Sequence, residues 1–314
     1  MNDRQVRNNK LVFRSKCIKI FIASAGLLLF SCNKKEVFSP DKYIITESIQ
    51  SGSSNFEINK KYVYSEKKQL ASVWLKDGNT SLTLEYNKDK TIKKITENNA
   101  TNYAVLSYEN KLITQIQYYE NNQLARECLF FRKEKKNTIN KIEYYVYDGF
   151  SAGKKNVLAD MLFPEVKSVH KSHKSGEKSL YSVQNITYEE DNIFRVSLSY
   201  VIDNQVSLYS ITTYKYDDKK NPYYGLSYFF TDLTGYSKNN VKSTITSLEN
   251  DPFKTLITVE NSYSYEKKYP VYNSVVESRT YIVGYETVIE DGKTITKPIW
   301  NTTLQYWSYK YAYK

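Results

Sequence analysis

Leu84-Glu-Tyr86-Asn-Lys-Asp-Lys is the stretch that decides the fold: alternating residues run into a tyrosine, and a charged, turn-forming cluster follows. The same plan stands at Tyr62-Val-Tyr64-Ser-Glu-Lys-Lys and at Leu106-Ser-Tyr108-Glu-Asn-Lys, so Tyr64, Tyr86 and Tyr108 follow one another at 22-residue intervals. It returns less regularly at Ile186-Thr-Tyr188, Tyr214-Lys-Tyr216 and Tyr263-Ser-Tyr265. A unit of this length holds two short strands and two turns, which predicts a meander of hairpins. Residues two apart in a strand share a face, so Leu84 and Tyr86 point one way and Glu85 the other. Five of the six residues between the paired positions are polar (Glu85, Ser107, Thr187, Lys215 and Ser264, with Val63 the exception), which predicts an antiparallel sheet wet on one side.

Composition agrees. The chain has 314 residues, 31 of them Tyr and only 10 Gly and 6 Pro. An aromatic ring with a polar tip suits a half-buried pleated surface. The expectation is an all-β fold over 56–314: one large antiparallel meander, curled towards a barrel or open barrel. Residues 148–180 break the alternation and are expected to leave the sheet, with a short helix near 156–163 ahead of Pro164.

The amino terminus reads as an address. Arg4, Arg7, Lys10, Arg14, Lys16 and Lys19 precede an apolar run from Ile20 to Phe30, too short for a permanent membrane helix and of the right length for a secretory signal peptide. Residues 1–31 are therefore expected to be removed. Without them 39 basic residues face 33 acidic ones, a net +6, down from +11 for the whole chain. That excess is spread out and forms no dense Lys/Arg stripe, so nucleic acid is excluded as the expected partner. Residues 32–55, polar with brief apolar interruptions, are expected to form a flexible tether.

Leu29-Phe30-Ser31-Cys32 resembles the bacterial lipobox, and the resemblance implies a lipid on the Cys32 thiol and an acylated amino terminus. Tyr214-Lys-Tyr216-Asp217-Asp218-Lys-Lys-Asn221-Pro222-Tyr223 resembles the Y-x-Y-D-x-K-x-N-P-[FY] hairpin of Bacteroides-type outer-membrane lipoproteins that carry a porin-like β-meander domain. The YD-type hairpin repeats of wrapped β-shell proteins are similar as well. The resemblance implies a fold and an outer-membrane address, the latter strengthened by Asn33 where the inner-membrane retention signal has Asp. It leaves periplasmic and surface exposure both open.

The residues offer little chemistry. Cys17 lies in the leader and Cys32 in the lipobox, so Cys128 stands alone and is expected to be a small core residue. His170 and His173 sit among Lys167, Lys171, Lys174 and Lys178, which repel a cation; no metal and no cofactor are expected. Glu189-Glu190-Asp191 and Asp217-Asp218 could supply the acid pair of a glycoside-type hydrolase, but both fall in expected turns, where such residues bond the backbone. Trp74, Trp300 and Trp307 are the candidates for stacking on a ligand. The leading reading is a non-enzymatic binding or interaction module held at the outer membrane, with a glycan or another envelope protein as partner. A carbohydrate-binding component of a surface uptake system is the alternative, and a hydrolase using turn carboxylates the third.

Overall fold

The tyrosine repeat folds into hairpins, and each repeat tyrosine marks a break in register. In the computed structural model the described residues are 45–52, 58–67, 69–75, 81–98, 100–133, 138–147, 157–163, 177–224, 233–291 and 293–313, with 45–52 and 58–59 described as backbone. Cys32, the leader, His170 and His173 lie outside them. The strands are β1 (Ile45–Gly52), β2 (Ile58–Tyr64), β3 (Leu70–Leu75), β4 (Ser81–Tyr86), β5 (Ile92–Glu97), β6 (Tyr103–Glu109), β7 (Leu112–Glu120) and β8 (Gln123–Arg132). They continue with β9 (Ile139–Tyr147), β10 (Lys178–Glu189), β11 (Asn192–Ile202), β12 (Gln205–Lys220), β13 (Asn239–Leu248), β14 (Leu256–Glu266), β15 (Tyr269–Glu290) and β16 (Lys293–Tyr313). All pairings are antiparallel between consecutive strands, and β1 pairs with both β2 and β16, so the hydrogen-bonded order returns to its start.

Tyr64 lies opposite Leu70, Tyr86 opposite Ile92, Tyr108 opposite Ile113, Tyr188 opposite Ile193 and Tyr265 opposite Pro270, and the register shifts at every one of these pairs. The extra residue sits on the returning strand (Ala71, Lys93, Thr114, Phe194 and Val271), a β-bulge that bends the strand and increases its twist. The residue opposite each tyrosine is buried in all five cases. Tyrosine does more here than fill space. The Tyr86 hydroxyl donates to the Leu70 carbonyl at 2.7 Å and that of Tyr313 to the Pro270 carbonyl at 2.6 Å, so a ring from a later strand ties down the buried residue at a bulge. Hairpin tips at both ends include two-residue turns, among them Asn110-Lys111 after Tyr108. Asn121-Asn122 and Asp203-Asn204 take left-handed backbone at both positions, which these side chains tolerate and two-residue hairpin turns require.

From β2 to β9 one face of the sheet is closed by aliphatic packing. Leu82, Ile95, Ile113 and Ile142 are buried, and helix α1 (Val157–Leu162) lies over them. Leu158, Ala159, Met161, Leu162 and the following Phe163 join this core, with the Phe163 ring 6.2 Å from both Tyr118 and Tyr144. Glu97, on the same inner face, accepts the Leu158 N–H at 2.9 Å and the Asn102 amide at 3.0 Å, which satisfies an orphan donor in the first turn of α1.

The expected all-β meander is the observed fold, and the short helix falls within the expected 156–163. Two boundaries differ. Residues 45–52, read as tether, form β1 along the edge of β16. Residues 178–180, read as part of the excursion, already belong to β10.

Candidate interaction surface

β15 and β16 outlast their neighbours. β14 meets β15 only from Tyr269 to Thr280, and β1 reaches along β16 only as far as Trp307. Beyond these limits, among the described residues, Tyr281–Glu290 forms a ladder with Lys293–Asn301 alone. A two-stranded ribbon in water is marginal by itself, because each side chain has neighbours on one side only.

Register assigns the faces of this ribbon. Ile282 lies opposite Trp300; then comes a bulge at Val283; then Tyr285 lies opposite Pro298, Thr287 opposite Thr296 and Ile289 opposite Thr294. Paired residues share a face, so these eight stand together on the outer side. The inner side holds Tyr281–Asn301, Gly284–Ile299, Glu286–Lys297, Val288–Ile295 and Glu290–Lys293. Every ionisable Glu or Lys within both arms of the ribbon is therefore on one face, and Lys297 bridges to Glu290 there. The other face is uncharged and open: Ile289 is 76% exposed, Tyr285 64% and Trp300 50%. Ile282 is the exception, buried with its N–H donating to the Phe253 carbonyl at 2.8 Å, so the β13–β14 loop folds across it.

The bulge makes this segregation possible. Before Val283 the even-numbered residues of β15 face out; after it the odd-numbered ones do. Were Val283 paired in regular alternation instead of bulged out, Glu286 and Glu290 would share a side with Thr280 and Ile282.

The uncharged surface continues onto the sheet. Following the ladders sideways, Thr213, Ile245, Thr258, Ser278 and Leu304 form one outer row, and Ile211, Ser247, Leu256, Thr280 and Thr302 the next. Charge returns one row closer to the tyrosine tips, where Lys215 and Glu260 stand beside Val276 and Tyr306. The inner side of the same strands is the polar one. There Thr212 and Thr246 share a hydrogen bond at 2.8 Å, Asn273 donates to Asn261 at 2.8 Å, and Arg279 bridges Glu277 at 2.6 Å.

The three tryptophans are not brought together. Trp300 belongs to the uncharged outer face. Trp307, an odd number of residues along the same unbroken strand, points to the inner face, as does Val275 opposite it. Trp74 stands on β3, exposed, its indole N–H donating to Ser72 Oγ at 3.2 Å. Its row crosses Lys61 and Glu47 to reach Ala312 on β16, about 40 Å along the strand from Trp300.

Of the carboxylates expected in turns, Asp217 and Asp218 fall instead within β12, where they hold structure. Asp217 accepts from the Lys219 N–H at 2.9 Å and from the Tyr265 hydroxyl, while Asn221 receives the Tyr223 N–H at 2.9 Å and donates to the Ser237 carbonyl at 3.0 Å. Asp218 is exposed and paired with Lys219, and that partner lowers its pKa. Glu190 and Asp191 form the tip between β10 and β11. Cys128 is buried, and desolvation raises its thiol pKa well above the ordinary value, as a core residue requires. Among the described residues no group of three His, Cys, Asp or Glu side chains could hold a metal ion.

A polar cluster covers the outer face of β7–β10. Glu127 is 3% exposed although it points away from the core. It is bridged by Lys178 and accepts from Gln117 at 3.4 Å and Tyr147 at 3.2 Å. Lys178 also lies 4.0 Å above the Tyr145 ring, and Tyr145 donates to Glu143 at 2.8 Å. Burial and this bond to Glu143 push the Tyr145 phenol up to about 12. Burial alone would raise Glu143, but hydrogen bonds from Lys141 and Tyr145 outweigh it and hold the carboxyl below its usual value. Each charge here has a partner, which is the reverse of the ribbon's bare outer side.

The architecture defines an all-β antiparallel meander domain carrying one short helix. No protein-family model matches the chain, and no curated protein matches it.

Proposed function

We propose that this protein is a lipid-anchored outer-membrane lipoprotein of the Bacteroides type whose β domain is a non-enzymatic binding or interaction module. The observation that carries the module reading is the charge segregation of the ribbon. Water reaches both faces of a projecting hairpin, and solvation alone gives no reason to confine every Glu and Lys to one of them. A contiguous uncharged face with exposed Ile289, Tyr285, Trp300 and Leu304 is the chemistry of a surface that another molecule covers. The lipobox at Cys32 supports the address. Mass spectrometry of membrane fractions tests it: an acylated amino terminus at Cys32 is expected, and a Cys32→Ser protein that is still processed and membrane-bound contradicts it.

A glycan-binding reading has one observation in its favour. Trp300, Tyr285 and Tyr306 share the outer face with the hydroxyls of Thr280, Thr302 and Ser278, a mixture of ring planes and uncharged donors that suits sugars. The three tryptophans form no common groove, so this reading rests on Trp300 alone among them. Glycan-array binding that disappears in Trp300→Ala and survives in Trp74→Ala is its signature.

A further inference from the structure

We infer that the uncharged outer face of β15–β16 is where two copies of this chain meet, face to face about a two-fold axis parallel to the strands. The inference deepens the interaction-module reading and rests on it, naming the partner of that same surface.

Self-association asks that a patch complement itself. In a two-fold interface each residue type meets its own kind or a near neighbour, so a like charge anywhere near the axis is repelled by its copy. From Ser278 to Ile289 and from Thr294 to Leu304 the outer side bears no Asp, Glu, Lys or Arg, and the charges of these two strands sit on the opposite side, with Asp251 and Lys254 of the β13–β14 loop at its edge beside Ile282. The surface is β-branched and aromatic, as the inner faces of packed sheets are, and two such faces stack about 10 Å apart with strands nearly aligned.

Topology suits that arrangement. The described chain enters β1 at Ile45, beside Tyr313, at the end that carries the tyrosine hairpin tips. The ribbon tip at Asp291 lies at the other end. In a chain anchored at Cys32, as proposed above, the anchored side enters the sheet at the end of the tyrosine tips, and the ribbon tip is at the far end of the strands. The bilayer that holds the anchor is then a poor occupant for the ribbon. A second copy in that membrane points its ribbon the same way, and a two-fold axis along the strands brings the outer faces into register.

Size is adequate for a membrane-confined pair. The ribbon face is about 40 Å long and 10 Å wide, and the two rows on β12–β14 extend it to roughly 600 Å² of flat area, near the 800 Å² or so that each partner of a stable complex covers. Anchoring both copies in one membrane raises their effective concentration and favours the encounter.

Cysteine crosslinking of the full chain, expressed with its leader and assayed in membranes with a short bismaleimide, tests this. Thr302→Cys and Thr280→Cys, on the outer face, are expected to give a product of twice the chain's mass. Thr303→Cys, next door on the inner face, is expected to give none. Leu304→Asp should weaken association in detergent by about a hundredfold, the size of a central interface residue. Because Leu304 is exposed, circular dichroism of that variant should match wild type. Equal crosslinking at Thr302→Cys and Thr303→Cys, or a single-chain mass in detergent, overturns the pairing. If the single chain still binds a glycan array or lipid vesicles through Trp300, the pairing fails while the module reading stands. If Leu304→Asp and Trp300→Asp change no association of any kind, both fail.

Discussion

The strands β2–β9 and β12–β16 belong to one meander yet are built in opposite senses. In the first group Leu82, Ile95, Ile113 and Ile142 face inwards onto α1 and Phe163, and the outer side is a web of paired charges around Glu127. In the second the inner side carries Thr212–Thr246, Asn261–Asn273 and Glu277–Arg279, while the outer side is uncharged and open. One inner ladder shows the change. Running sideways it reads Ile186, Val196, Thr212, Thr246, Ile257, Arg279 and Thr303, aliphatic at one end and polar at the other. A single sheet can therefore hold a dry core under one part and invert its polarity under another. Stability is concentrated where the helix packs, and recognition is free to evolve where it does not.

The sharpest way to break this comparison is to cut into each side. Phe163→Ala removes the ring wedged between Tyr118 and Tyr144 and is expected to cost about 3–5 kcal/mol in urea unfolding. Replacing both Thr212 and Thr246 by Val removes a matched hydroxyl pair and should be near neutral. Similar losses in the two variants would show that the polar side is as tightly built as the core.

Tyr216→Ala comes next, at about 2–4 kcal/mol, because the half-buried ring stacks on Tyr214 at 6.4 Å and its hydroxyl meets Ser237 at 2.8 Å. Glu97→Gln should cost about 1–2 kcal/mol, since it weakens the acceptor that holds the first turn of α1. A neutral result would mean that apolar packing alone seats the helix.

The polar web makes a pH prediction. Tyr145 is raised to about 12 from 10.0, so folding favours the neutral phenol. Its contribution is fully present below pH 10 and is lost as pH climbs towards 12. Alkaline titration of phenolate absorbance should lose one late-titrating group in Tyr145→Phe. If the difference lies near pH 10 instead, Tyr145 is not held by Glu143. The smallest effect is expected of Lys215→Ala, on the wet side of β12, within about 0.5 kcal/mol. A loss matching that of Tyr216→Ala would reverse the faces of that strand.

Much of this architecture was legible in the tyrosine spacing, because a 22-residue period leaves room for hairpins and none for crossover helices. The helix at 157–162 showed as a break in alternation before Pro164. The bulges were not legible, since an extra residue such as Lys93 or Thr114 resembles any other strand residue until the partner is known. β1 was hidden by its polar composition, which an edge closing onto β16 accepts. The stacking candidates illustrate the same limit. Trp300 and Trp307 look like members of one aromatic set in sequence, but seven residues of unbroken strand put them on opposite faces. The ribbon's uncharged side was also beyond reach, because the shift at Val283 scrambles the alternation that would have revealed it.

That shift has a genetic corollary. Deleting the single codon for Val283 would remove the bulge and leave Ile282 opposite Trp300 and Gly284 opposite Ile299, so every later residue would keep its face. Adding one codon just beyond it, between Gly284 and Tyr285, would instead rotate everything that follows by half a pleat. Glu286 and Glu290 would then stand outward and Tyr285 and Ile289 inward, turning an oily ribbon into an acidic one. Substitutions along the ribbon change its surface one residue at a time, whereas a three-nucleotide insertion in the regular stretch exchanges the whole surface of that strand at once.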